Sequence, residues 1–201
     1  MEDLDEMNIA LKTVGDNYTD AVWIGLWRGR TWKWYWSLAY NNLYKEGERN
    51  YMILKSSGGD NCAVYRNGLV QSACTYKIPF VCFDRTRQGA DQYILSNEQL
   101  AWTEARDVCR TNFTDLVSLR NDAEHQMVQE LTSGQTVYLG LFKDPWVWSD
   151  MSDSSLRYWK KSQPVNVGGT DNCVAMLKME SGRWGNRNCN ETHPFLCKCS
   201  E

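Results

Sequence analysis

The chain has 201 residues, of which 42% are hydrophobic and 12% aromatic, enough apolar material for one large or two small cores. Its 22 basic and 25 acidic residues are interspersed and give a formal net charge of −3, which excludes the electrostatic signature of nucleic-acid binding or of binding to an anionic membrane. No run of about 18 apolar residues occurs, and the acidic start is unlike a signal peptide, so the sequence predicts neither a membrane span nor a secretory signal.

The first half of the chain begins with a predicted amphipathic helix whose apolar stripe consists of Leu4, Met7, Leu11 and Val14. Gly15 ends this helix. An aromatic strand with period-two alternation follows, marked by Trp32, Trp34 and Trp36. The stretch from 28 to 45 also interleaves bases with aromatic rings, as a platform for single-stranded nucleic acid does. The net charge disfavours that alternative, and burial of alternate rings on one strand face explains the pattern.

The second half of the chain predicts two helices and another aromatic strand. Ser96 and Gln99 form a capping-box signature for a first helix, whose apolar face is Ala101, Ala105, Val108 and Cys109. Asn121 and Glu124 start a second helix, which ends at Gly134 and has the apolar stripe Met127, Val128 and Leu131. The strand after it contains Trp146 and Trp148. This mixture of elements predicts an α+β fold.

The eight cysteines form no Cys-x-x-Cys pair of the kind that holds zinc. Together with glycosylation sequons at Asn17, Asn112 and Asn190, they favour an oxidising, extracellular setting and a glycoprotein. The acidic start conflicts with secretion, and we therefore expect a fragment, an isoform or an incomplete gene model.

An internal repeat relates the two halves of the chain. The Trp-Ile-Gly-Leu sequence at 23–26 recurs as Tyr-Leu-Gly-Leu at 138–141, and Pro-Phe-Val-Cys at 79–82 recurs as Pro-Phe-Leu-Cys at 194–197, both with an offset of 115 residues. Near-constant offsets predict two homologous domains.

The repeat sets the predicted domain boundaries. We predict a first domain at 1–84, a polar linker at 85–91 and a complete second domain at 92–201. The first copy begins inside its second helix, so it is predicted to lack everything that corresponds to about 91–120.

A pair of helices, then Trp-Ile-Gly-Leu, a Trp-x-Trp-Ser strand and three cysteines ending in Pro-Phe-x-Cys resembles the C-type lectin-like domain family. The two Trp-x-Trp-Ser strands, at 34–37 and 146–149, resemble those of the macrophage mannose receptor branch. The resemblance implies two disulfide-stapled α+β domains, each with two helices, small antiparallel sheets and a long loop, the first of them truncated at its N-terminus.

The resemblance also implies which cysteines are bonded: Cys62 to Cys74, Cys109 to Cys197 and Cys173 to Cys189. It assigns no partner to Cys82 or Cys199. These two are left to pair with each other, to stay free thiols or to join another chain.

Sugar-binding members of the family hold a calcium ion with oxygen donors, and the resemblance maps these onto Gln163, Asp171 and Asn186, with Asn166 as a substitute beside its motif. Val165 and Gly185 stand where two further donors are expected. The remaining set has one negative charge, whereas calcium takes six to eight oxygens and favours carboxylates, so calcium is a doubtful cofactor. In the first copy the corresponding positions are 52–54, Met-Ile-Leu, and 70–72, Val-Gln-Ser, and we expect no sugar site there.

The sequence therefore predicts an extracellular or cell-surface recognition module that binds a glycan, a glycoprotein or a protein, with carbohydrate binding implied by the resemblance and a degenerate calcium site. The alternatives are a calcium-independent protein-binding module and a non-functional receptor fragment. No nucleophile with its base, phosphate loop or metal-binding histidine pair indicates an enzyme. His125 and His193 are interpreted as ordinary surface or loop histidines.

Overall fold

The computed structural model describes residues 1–15, 18–52, 54–55, 59–161 and 171–198. It divides into two compact units: unit 1 comprises Met1–Lys33 and Asp144–Glu201, and unit 2 comprises Trp34–Lys143. Each unit therefore draws residues from both sequence repeats. The domain boundaries that the repeat predicts remain a prediction. Each compact unit contains residues from both predicted domains.

Unit 1 contains one α-helix, parts of two strands and two whole strands: α1 (Leu4–Thr13), the first part of β1 (Ala21–Trp36), the last part of β7 (Val137–Trp148), β8 (Cys173–Leu177) and β9 (Trp184–Arg187). The Asp3 side chain caps α1 by accepting a hydrogen bond from the Glu6 backbone N–H at 2.8 Å. Strand β8 pairs antiparallel with both β1 and β9.

Unit 2 contains the remaining strands and two helices: β2 (Cys62–Tyr65), β3 (Leu69–Ser72), β4 (Ile78–Phe83), β5 (Tyr93–Leu100), α2 (Trp102–Asn112), β6 (Asp115–Leu116) and α3 (Asp122–Thr132). Strand β4, from the first repeat, pairs antiparallel with β5 and β6, which come from the second. Strand β2 pairs antiparallel with β3 and with β7. The core of unit 2 is thus built from both copies.

The predicted second helix of the second repeat is confirmed as α3, because the Asn121 side chain accepts from the Glu124 backbone N–H and caps it. The predicted start of the first helix is wrong: Ser96 and Gln99 lie in β5, and α2 begins at Trp102. Pairing of β5 with β4 supplies hydrogen-bond partners for the backbone N–H and C=O groups of this segment. This pairing outweighs the local preference for a helix N-terminus. Glu104 caps α2 instead, by accepting from the Ala101 backbone N–H at 3.1 Å.

Two of the three implied disulfides are present, Cys62–Cys74 and Cys173–Cys189. The implied bond from Cys109 to Cys197 is corrected by the structure, in which Cys109 bonds to Cys82. The physical reason is the pairing of β5 with β4, which places the helix that follows β5 on the strand that carries Cys82. Cys82 is therefore not left over, and Cys197 is an exposed free thiol. Cys199 lies outside the described residues.

The helices are short. Helices α2 and α3 have 11 residues each, and no helix in the part of the chain that the structure describes is long and apolar enough to cross a membrane. The predicted mixed α+β class is confirmed.

Candidate ligand-binding site

The hairpin of β8 and β9 in unit 1 holds the two candidate calcium donors that the structure describes. Asp171 precedes β8, and Asn186 lies in β9 opposite Val174. The Cys173–Cys189 disulfide, with Cα atoms 5.1 Å apart, closes this end of the hairpin. The fold therefore brings both residues to one hairpin.

Asn186 is a poor candidate for an open calcium ligand. Its exposed fraction is only 8%, and its polar group already interacts with another residue. Asn186 lies opposite Val174 and shares its buried face of the hairpin. The side-chain amide therefore points toward the protein interior, as buried polar groups usually do. Asp171 is half-buried and is the one carboxylate of the set.

The side chain of Leu177 packs into the space beside Gly185, which stands where a donor is expected. A Cβ atom at this position would lie 2.9 Å from Leu177 Cδ1, closer than carbon atoms pack without a shift. The hairpin has therefore adapted to the absence of a side chain at 185.

Trp184 belongs to the core of unit 1. Its ring centroid lies 5.5 Å from that of Trp148 and 6.1 Å from that of Trp159, in edge-to-face geometry in both cases. The ring centroid of Trp146 lies 5.2 Å from that of Trp159, so Trp146 belongs to the same cluster. Such a cluster stabilises the unit by apolar burial and ring contacts, and leaves Trp184 no surface for a ligand.

The described residues supply only part of the implied calcium donor set, namely Asp171 and Asn186. Gln163 and Asn166 lie outside the described residues, as does Val165. Across the described ranges no group of three or more His, Cys, Asp or Glu side chains could hold a metal. One carboxylate and one buried amide do not meet the six to eight oxygens that calcium takes.

The corresponding region of the first repeat is apolar. Met52 and Leu54 pack against the core of unit 2, and Leu54 forms a β-bridge with Leu69. The second motif position, 70–72, lies in β3. Met52 and Leu54, which stand where ligand oxygens would be expected, therefore contribute to hydrophobic packing.

Two side chains of α3, Asp122 and His125, belong to a hydrogen-bonded network that the sequence did not predict. His125 Nε2 lies 3.0 Å from Tyr65 Oη, and its Nδ1 lies 3.3 Å from Tyr51 Oη. Tyr51 donates to Asp122 Oδ1 at 2.6 Å, and burial together with this carboxylate raises the pKa of Tyr51 to about 12. An open depression of about 650 Å³ borders the network, lined by Asp122, His125, Gln126, Gln129, Glu130 and Ser133.

No local sequence pattern indicates this network, because Tyr51 and Asp122 are 71 residues apart. The same holds for a buried ion pair in unit 1, in which the Arg157 guanidinium donates to both Asp144 oxygens, at 2.6 and 3.0 Å. In both, the polar side chains hydrogen-bond to one another.

The family model described as the Lectin C-type domain matches residues 98–199. The chain belongs to this family. The match covers half of the sequence and includes the β8–β9 hairpin, α2 and α3.

The chain is similar to several curated proteins. It is 28% identical to human Lymphocyte antigen 75, over 88% of this chain and 12% of that protein. It is 25% identical to human C-type mannose receptor 2, over 90% of this chain and 14% of that protein. Human C-type lectin domain family 17, member A is 34% identical over 54% of this chain and 30% of its own length. The resemblance to the mannose receptor branch is confirmed, although the chain spans only a small part of these relatives. No solved structure matches the chain.

Proposed function

We propose that the chain is an extracellular recognition module and not an enzyme, and that it binds a glycan, glycoprotein or protein ligand with a degenerate calcium site. Family membership supports recognition as the general role. The observation that carries the calcium part is the donor set of the β8–β9 hairpin, where Asp171 is the one described carboxylate and Asn186 is buried.

The packing at Gly185 supports the same proposal. A family member that coordinates calcium here needs a side chain at this position, and Leu177 occupies the space that its Cβ would take. Recognition by this chain therefore does not depend on calcium.

The internal repeat supports a further proposal on organisation. The segments 1–84 and 92–201, joined by 85–91, represent two C-type lectin-like sequences in tandem, of which the first lacks the first-helix region.

Calcium titration of the full chain tests the calcium part of the proposal. Extracellular calcium modules bind the ion with a Kd of about 0.1–1 mM. We expect isothermal titration of the unaltered chain to show no saturable calcium binding in that range, because the hairpin offers too few oxygens. Retention on glycan arrays and on mannose or galactose resin should be the same with EDTA as with calcium.

The variant Val165→Asn adds one of the missing donors without disturbing Leu177 or the buried Asn186. It is also expected to show no saturable calcium binding in that range, because one added oxygen leaves the set well short of the six to eight that calcium takes. Saturable calcium binding by the unaltered chain, or EDTA-reversible retention on any of these glycans, would show that the proposal is wrong.

A further inference from the structure

Two of the three Asn-x-Thr sequons in the chain, at Asn112 and Asn190, lie in the part that the structure describes, and the third, at Asn17, does not. A sequon is the acceptor sequence for an N-linked glycan. Because it requires Ser or Thr at its third position, the transferase that reads it must contact that hydroxyl as well as the asparagine amide. A folded segment is therefore modified only where both groups are accessible.

The sequon at Asn112 is closed by the fold of unit 2. Asn112 is the last residue of α2, and its Nδ2 donates to the Val108 carbonyl of the same helix at 3.1 Å. Thr114 is only 7% exposed, and its hydroxyl oxygen accepts a hydrogen bond from the Arg85 backbone N–H at 2.9 Å. The Thr114 backbone N–H donates to the Phe83 carbonyl at the end of β4. Both groups that a transferase reads are thus engaged inside the folded unit.

The Cys82–Cys109 disulfide maintains this arrangement. It joins α2 to β4, and Cys109 lies about one helical turn before Asn112. The hydrogen bonds of Thr114 also run to β4 and to the residues that follow it. Release of α2 from β4 would therefore make the Asn112 sequon accessible.

The sequon at Asn190 is open. Asn190, Glu191 and Thr192 are all exposed, and they lie outside the helices and strands of unit 1. A turn presents them, in which the Glu191 backbone N–H donates to the Asn188 carbonyl and the Asn190 backbone N–H donates to Asn188 Oδ1, both at 3.0 Å. These bonds hold the backbone and involve neither the Asn190 amide nor the Thr192 hydroxyl. A transferase can therefore reach both groups.

Asn190 also lies beside the candidate ligand-binding site. It directly follows Cys189, whose disulfide to Cys173 brings the two Cα atoms within 5.1 Å of each other. Asp171 lies just before Cys173 in the sequence. A glycan on Asn190 would therefore extend from the end of the β8–β9 hairpin that carries Asp171.

We propose that Asn190 carries an N-linked glycan at the Asp171 end of the β8–β9 hairpin, and that the fold of unit 2 protects Asn112 from the same modification. An N-linked glycan is bulky and hydrophilic. A ligand that approaches this end of the hairpin must contact the glycan or avoid it. The inference rests on the extracellular location proposed above, because the transferase acts in the secretory pathway.

The donor for this reaction is an oligosaccharide linked to a polyprenyl pyrophosphate. The Nδ2 atom of Asn190 attacks C1 of the reducing-end sugar. The bond from nitrogen to C1 forms while the bond from C1 to the pyrophosphate oxygen breaks. The pyrophosphate leaves with the bonding electron pair, and the amide nitrogen loses one proton to a base of the transferase. No oxidant or reductant takes part.

Site-specific measurement of glycan occupancy tests the proposal. The full chain is expressed in mammalian cells behind an added secretory leader, with Asn17→Gln so that the two described sequons remain. Enzymatic deglycosylation in heavy-oxygen water marks each asparagine that carried a glycan, and mass spectrometry locates the marks. We expect most chains to carry a glycan at Asn190, with an occupancy severalfold higher than at Asn112. On a denaturing gel Asn190→Gln should abolish the glycan-dependent mobility shift, whereas Asn112→Gln should retain it.

The variant Cys109→Ser tests the protection of Asn112 by the fold. Without the bond to Cys82, we expect the occupancy at Asn112 to rise severalfold and that at Asn190 to stay the same. Total cell protein is analysed beside the secreted protein, so that chains retained because they misfold are also measured.

Three outcomes would overturn the proposal: an empty Asn190, equal occupancy at Asn190 and Asn112 in the parent chain, or an Asn112 occupancy that Cys109→Ser does not change. None of them depends on calcium binding or on retention by glycans. Failure of this inference is therefore distinguishable from failure of the proposed function.

Discussion

The variant Asp144→Asn is expected to lower the free energy of unfolding of unit 1 by about 3–5 kcal/mol. The Asp144 carboxylate and the Arg157 guanidinium are both almost fully buried and form two hydrogen bonds, at 2.6 and 3.0 Å. Replacing the carboxylate with a neutral amide leaves the guanidinium charge buried without its counter-ion. That desolvation cost is the source of the destabilisation.

Urea denaturation followed by tryptophan fluorescence measures this change, because Trp146 and Trp159 lie in the same unit. The matched control is Asp153→Asn, which makes the same chemical change in an exposed ion pair with Lys33, where each side chain is 55% exposed. The control should change stability by about 0–1 kcal/mol, as surface pairs do. Equal effects of the two variants would contradict the account of the buried pair.

The variant Cys109→Ser is expected to destabilise unit 2 by about 3.5 kcal/mol, which is the loop-closure value for a disulfide whose cysteines are separated by 27 positions in the sequence. The bond fastens α2 to β4, and its loss restores freedom to the unfolded chain. Thermal or urea unfolding of the oxidised variant measures the effect.

The control for this experiment is Cys197→Ser, which removes an exposed free thiol and should leave the unfolding midpoint unchanged. The two variants distinguish a bond from Cys109 to Cys82 from a bond from Cys109 to Cys197. If Cys197→Ser were as destabilising as Cys109→Ser, then Cys197 and not Cys82 would be the partner of Cys109.

The sequence predicted the local elements of the fold well where a short motif sets them. Asn121 and Glu124 give the N-terminus of α3, and the tryptophans at alternate positions lie in β1 and β7. The family resemblance followed from several motifs in order, and the family match confirms it. These features depend on residues close together in the sequence.

The start of α2 and the partner of Cys109 were not predictable in this way. A capping pattern at Ser96 and Gln99 is a local preference, and pairing with β4 outweighs it. The repeat offers two equivalent strands, at 79–82 and 194–197, for one strand-and-helix segment. Motif spacing is the same for both, so the choice between them depends on tertiary packing.

The sequence proposes which residues form the candidate site, but it does not predict how these residues pack. Counting donors indicated a weak calcium site, but the sequence did not show that Asn186 is buried or that Leu177 fills the space beside Gly185. The contacts of Trp184 with Trp148 and Trp159 were not predictable, because they join strands and loops that are distant in the sequence.

The most direct test of the account is disulfide mapping of the oxidised full chain, by proteolysis without reduction after alkylation of free thiols. If unit 2 is built from both repeats, a Cys82–Cys109 peptide pair is recovered and Cys197 is alkylated. Recovery of a Cys109–Cys197 pair with an alkylated Cys82 would contradict the assignment of Cys82 as the partner of Cys109 and, with it, a unit 2 that is built from both halves of the chain.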